Sequence, residues 1–127
     1  MENLKLSTTQ YTPEISLDVN NGTISVVGKS YPENTFEFYK PVMEWIESYF
    51  DGNAQEKTVV NLEIIYFNSS SSKLFFDFFD LLEEVNDSNT IEINWIYDEE
   101  NESALEAGED FQEDFQTLKI KLVTKES

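Results

Sequence analysis

Ten residues from Thr58 to Phe67, Thr-Val-Val-Asn-Leu-Glu-Ile-Ile-Tyr-Phe, are dominated by β-branched and aromatic side chains and read as a central strand. They run directly through Asn68 and four serines, Ser69 to Ser72, into Lys73–Val85. There Leu74, Phe78, Leu81, Leu82 and Val85 recur on one face of a helix. A strand that hands over to an amphipathic helix in this way is half of a strand–helix–strand unit. Such units favour right-handed crossovers and a largely parallel sheet. The expected class is therefore α/β, with the Thr58–Phe67 strand in the sheet interior and the Lys73–Val85 helix packed on it.

The flanking segments extend the pattern. Ile15–Asp18 alternates as a short strand, Asn20-Asn21-Gly22 is a strong turn signal, and Thr23–Val27 returns as a β-branched strand ending at Gly28. Phe38, Val42, Trp45, Ile46 and Tyr49 sit at helical spacing, so Thr35–Phe50 reads as a helix. Asn34 or Thr35 is its cap, and Asp51-Gly52-Asn53 its stop. Pro41 sits uneasily inside it, which suggests a start near Lys40 or a kink. Thr90–Tyr97 alternates as a strand, Ser103–Phe111 is a helix in acidic surroundings, and Leu118–Val123 closes the sheet. The expected order is ββαβαβαβ, a mixed, mostly parallel sheet with an N-terminal hairpin. The 127 residues suit one domain, 1–127, with 1–13 as a loose arm and Lys125-Glu126-Ser127 as a frayed end.

Composition excludes several chemistries. There is no cysteine, histidine or arginine. That removes disulfides, thiolate sites, the commonest general base and transition-metal ligand, and the guanidinium fork. No cofactor and no specific transition-metal site are expected. The net charge of −18 repels a nucleic-acid backbone and an anionic membrane surface, and favours partners with a basic rim. Met1–Gln10 lacks the apolar run of a signal peptide, and no stretch approaches a membrane span, so a cytoplasmic protein is expected.

Among candidate sites, the acidic stretch Asp98-Glu99-Glu100-Asn101-Glu102 invites a calcium reading, but Ser103 stands where a calcium loop of EF-hand type needs glycine. A solvated acidic face is the simpler account. Asp77, Asp80, Glu83 and Glu84 have no nucleophile or oxyanion donor beside them, so an enzyme is not expected. Phe75, Phe76, Phe78 and Phe79 nearly encircle one helix; those off the core stripe serve either a second packing contact or a docking surface. The serine run has two readings. It is a cap or plain polar loop, or it is a phosphorylation switch, in which a phosphate adds about −1.5 to −2 charge beside free helix amides.

Several segments, in order along nearly the whole chain, resemble the SiaC-type regulatory phosphoproteins of bacteria. They are Thr9-Gln10-Tyr11-Thr12-Pro13-Glu14-Ile15, Gly28-Lys29-Ser30-Tyr31-Pro32-Glu33-Asn34, Tyr66-Phe67-Asn68-Ser69-Ser70-Ser71, Asp77-Phe78-Phe79-Asp80-Leu81-Leu82 and Trp95-Ile96-Tyr97-Asp98. The resemblance implies a STAS-like fold, that of anti-sigma-factor antagonists. It implies a hydroxyl phosphorylated by a partner-switch serine/threonine kinase and freed by a PP2C-type phosphatase. The unmodified form would bind and activate a diguanylate cyclase, in cyclic di-GMP signalling and biofilm control. The acceptor maps onto Ser69, where such proteins carry threonine, with Ser70 and Ser71 as alternatives. Partner contacts are expected at Tyr31, Pro32, Glu33, Asn34, Asn68, Ser70, Ser71, Lys73 and Phe76.

Overall fold

A computed structural model describes residues 1–125. The strands are β1 (Leu4–Leu6), β2 (Glu14–Asp18), β3 (Thr23–Ser30), β4 (Lys57–Phe67), β5 (Thr90–Asp98) and β6 (Ile120–Lys125). The helices are α1 (Thr35–Phe50), α2 (Ser69–Asn86) and α3 (Glu102–Asp114). The six strands form one sheet in sequence order, β1-β2-β3-β4-β5-β6. β1, β2 and β3 pair antiparallel, and β3 through β6 pair parallel. The single α/β domain and its mixed sheet agree with the sequence pattern.

Each parallel crossover steps one strand further in the same direction, so right-handed connections carry all three helices to one face. Burial follows that geometry. Ile15, Leu17, Ile24, Val26, Val60, Leu62, Ile64, Ile91, Ile93, Trp95 and Ile120 point under the helices and are buried. They meet Tyr39, Val42, Ile46 and Tyr49 from α1, Leu74, Phe75, Phe78, Phe79 and Leu82 from α2, and Phe111 from α3. β4 is interior in strand order, as expected, yet it alternates. Val59, Asn61, Glu63 and Ile65 lie on the face that no helix covers. There Asn94 Nδ2 donates to Asn61 Oδ1 at 2.9 Å, and ion pairs join Lys57 to Glu92 (3.1 Å) and Lys125 to Glu63 (2.8 Å).

Four expectations are corrected. The stretch 1–13 is not a loose arm throughout, because Leu4–Leu6 pairs with β2. Asn3 Oδ1 accepts from Val19 N (2.9 Å) and Glu2 O from Trp45 Nε1 (2.8 Å), so side chains anchor what sequence polarity alone does not show. The order is accordingly βββαβαβαβ. Second, β3 passes Gly28 and continues to Ser30 through a register shift at Gly28/Lys29. Third, α1 runs over Thr35–Phe50 with Pro41 inside and Asn34 as cap, so the bounds hold and only the start near Lys40 is overturned. The proline is exposed, so the Glu37 carbonyl it deprives of a donor lies on the solvent side. Fourth, α2 starts at Ser69, not Lys73: the serines are its first turn. α3 and β6 each differ from the expected bounds by a few residues, and Lys125 ends β6 in an ion pair; Glu126 and Ser127 of the expected frayed end lie outside the described residues.

Candidate functional site

Parallel strands that each lead into a helix bring the helix starts to one edge of the sheet. Here α1, α2 and α3 follow β3, β4 and β5, and each is capped by an asparagine. Asn34 Oδ1 accepts from Glu37 N (3.1 Å), Asn68 Oδ1 from Ser71 N (2.9 Å), and Asn101 Oδ1 from Ala104 N (3.1 Å). The edge is stitched further by Asn68 N donating to Ser30 O (3.1 Å), Tyr31 N to Tyr11 O (2.8 Å), and Asn101 Nδ2 to Ile65 O (3.1 Å). Three helix dipoles thus direct partial positive charge toward one rim of a strongly acidic protein.

The serine run occupies the first turn of α2, and its members differ sharply. Ser69 and Ser70 are exposed, and Ser72 is half-buried. Ser71 is 0% exposed, with Oγ 2.8 Å from Ser30 Oγ. Ser30 is equally buried and lies 2.7 Å from Tyr39 OH. Three hydroxyls from β3, α1 and α2 therefore form one buried chain beneath the exposed serines. Burial pushes the Tyr39 phenol up to about 12, and the Ser30 hydrogen bond opposes this only in part. The capping and switch readings are compatible: Asn68 caps, Ser71 locks the turn from inside, and Ser69 and Ser70 stay accessible. Close by, at the first position of α1, Thr35 Oγ1 is the one buried side-chain polar atom without a partner among the described residues.

Aromatic side chains crowd this rim. Tyr66, at the end of β4, is 54% exposed and packs edge-on against Tyr31 (5.6 Å between centroids). Tyr31 packs likewise on the exposed Tyr11 (5.3 Å). Phe36, on the first turn of α1, is 51% exposed, and Lys73 Nζ stands 5.8 Å from its centroid. Phe76 is 41% exposed but leans on Phe115 at 4.8 Å, so it shares in a packing contact as well as the surface. Phe75, Phe78 and Phe79 are core.

Of the residues expected at partner contacts, Tyr31, Asn34, Asn68, Ser70, Lys73 and Phe76 keep some exposure at this rim or on the first turns of α2, and Glu33 is exposed beside Asn34. Pro32 and Ser71 are buried, so their side chains support the rim from within. Sequence reasoning missed Tyr11, Phe36, Tyr66 and the Ser30–Tyr39 pair. Strand alternation would place Tyr66 inward with Leu62 and Ile64; the register shift that skips Ile65 turns it out, and neither this nor the Ser30–Ser71 contact had a trace in the sequence. Elsewhere, Glu99, Glu100, Glu102, Glu106, Glu109, Asp110, Glu113 and Asp114 are exposed around and along α3, a solvated acidic face. Among the described residues no three carboxylates gather as metal ligands, and no helix is long and apolar enough to cross a membrane.

Comparison with known proteins agrees with this architecture. Residues 6–125 match the family described as SiaC family regulatory phosphoprotein. An uncharacterised protein of Pseudomonas aeruginosa strain UCBPP-PA14 is 37% identical over 115 residues, 90% of each chain. The solved structure of SiaC of Pseudomonas aeruginosa superposes with a TM-score of 0.85 at 32% identity, covering 100% of both chains. A chain from the crystal structure of the diguanylate cyclase SiaD in complex with its activator SiaC, from the same organism, gives 0.89 at 34% identity, covering 96% of this chain and 99% of that one.

Proposed function

This chain belongs to the SiaC family of regulatory phosphoproteins, and on that footing we propose that its unmodified form binds and activates a diguanylate cyclase while phosphorylation of Ser69 turns that binding off. The observation that carries the reading is the setting of Ser69. It is an exposed hydroxyl at the first position of an asparagine-capped helix, on a rim that displays Tyr66, Phe36 and Phe76. A neutral serine there lets a partner cover the aromatics without stranding a charge. A phosphate leaves the fold in place, because the helix start tolerates an anion. At a docked surface, however, the same dianion must lose its water, and an unpaired buried charge costs several kcal/mol. Ser70 is the alternative acceptor by exposure, whereas Ser71 would have to leave its buried bond to Ser30.

In this scheme the chain is a ligand and not a catalyst. A serine/threonine kinase transfers the γ-phosphoryl group of ATP to the hydroxyl, and a PP2C-type phosphatase hydrolyses the ester. Both these enzymes and a cyclase consuming GTP place the exchange in the cytoplasm. A second reading, a constitutive acidic scaffold for a basic partner, draws on the exposed carboxylates of α3. Intact mass of the protein isolated from its native cells separates the two. The switch predicts a population heavier by about 80 Da, one phosphate, mapped to Ser69 and lost in Ser69→Ala. Unmodified protein under all growth conditions, with equal capture of the target by wild type and Ser69→Ala, would leave the scaffold.

A further inference from the structure

We propose that Lys73 is the residue that receives the phosphate of a modified Ser69, and that its ammonium leaves the ring of Phe36 to do so. The inference rests on Ser69 as acceptor and adds a responding group to it. Ser69 and Lys73 are four residues apart on α2, hence neighbours on one helix face. Helical side chains lean toward the N-terminus, so the lysine stem is aimed back over the first turn, where the serine sits. In the unmodified chain the ammonium is instead held across the gap to α1, 5.8 Å from the Phe36 centroid. Lys73 and Phe36 are both exposed, so that contact is weak and exchangeable. A dianion one helical turn away offers the ammonium a stronger, charge-assisted partner.

The other charged groups near the rim do not compete for this role. Lys29 is the penultimate residue of β3 and pairs with Tyr66 on the strand, Glu33 precedes the Asn34 cap, Glu37 lies in the first turn of α1, and Asp77 lies a further turn along α2. Glu37 is already engaged by Asn34 Nδ2 at 3.1 Å. The acidic neighbours repel a phosphate, which leaves Lys73 as the cation with the right spacing. The modification then changes the rim at two points at once: it adds a dianion at Ser69 and strips the cation from Phe36, uncovering an apolar ring on the neighbouring helix.

The test uses the full chain with phosphoserine placed at position 69 by genetic encoding, so the answer does not depend on which serine a kinase selects. Phosphorus NMR titration reads the second ionisation of the phosphate in three backgrounds: Lys73, Lys73→Gln and Lys73→Arg. The phosphate is expected to ionise about half a pH unit lower with Lys or Arg than with Gln, the size of an exposed ion pair. The Phe36 ring protons, assigned with Phe36→Leu, are expected to shift on phosphorylation when Lys73 is present and to stay unmoved in Lys73→Gln. Identical titrations in all three backgrounds, or Phe36 signals indifferent to the phosphate, would overturn the role of Lys73 while leaving the switch at Ser69 standing. Phosphosite mapping on the native protein decides the acceptor separately.

Discussion

At the scale of single residues, the four serines show how little side-chain identity says about role. Ser71 and Ser70 are adjacent and chemically equal, yet one is sealed against Ser30 and the other faces water. Removing the Ser71 hydroxyl breaks one buried hydrogen bond and leaves Ser30 paired with Tyr39 alone, at an expected cost of about 0.5–1.5 kcal/mol. Ser70→Ala should stay within about 0.5 kcal/mol, as exposed substitutions do. Urea denaturation of the two variants gives the contrast directly; equal stabilities would mean the buried chain is not a latch. Tyr39 adds a pH signature. Its folded value of about 12 lies above the ordinary 10, so the contribution is whole below pH 10 and is lost as pH rises toward 12, where the unfolded chain ionises more readily. Tyr39→Phe should therefore lose less stability than wild type between those limits, which denaturation curves at a mildly and a strongly alkaline pH will show. Ser30 and Ser71 are 41 residues apart. No periodicity within either segment announces their meeting, and so the candidate site was legible as a serine run but not as an inner and an outer pair.

At the scale of elements, α1 carries the bounds its apolar spacing predicts, because six of its residues are buried at positions that a single helical stripe supplies. β4 is nearly as clear. β1 is not, since three residues of an edge strand, Leu-Lys-Leu, hold no alternation long enough to register. The first turn of α2 was also hidden: serine is a modest helix former in the interior but a good residue at a start, and only the Asn68 cap fixes the boundary. Asn68→Ala should accordingly cost about 1 kcal/mol and loosen the turn that presents Ser69. α3 is seated more tightly than its polar sequence suggests. A Cβ at Gly108 would come within 2.6 Å of Trp95 Cδ1 and 2.7 Å of Leu122 Cδ2. Trp95 cannot easily yield, being fully buried with Nε1 donating to Ala104 O at 2.8 Å. Alanine gains about 1 kcal/mol in helix propensity, but overpacking costs about 1–3 kcal/mol, and the pinned indole places this site at the upper end. Gly108→Ala should lower the thermal midpoint; a raised midpoint would mean that α3 slides freely on β5 and β6.

For the whole molecule, charge and topology act together. The chain carries −18, and no histidine, arginine or cysteine offers an alternative chemistry. Self-repulsion on this scale is screened by salt, so thermal stability should rise with ionic strength, and a fall would contradict the charge argument. Against that acidic background, the sheet order brings three helix starts and a set of exposed aromatics to one rim. Under the proposed switch, a partner covers this surface only while Ser69 stays neutral. The decisive measurement is calorimetric titration of a purified diguanylate cyclase from the chain's own source organism with the chain in two forms, unmodified and bearing phosphoserine at position 69. The switch predicts micromolar or tighter binding of the unmodified form and at least tenfold weaker binding of the phosphorylated one, a difference of about 1.4 kcal/mol or more. Equal affinities for the two forms would contradict it.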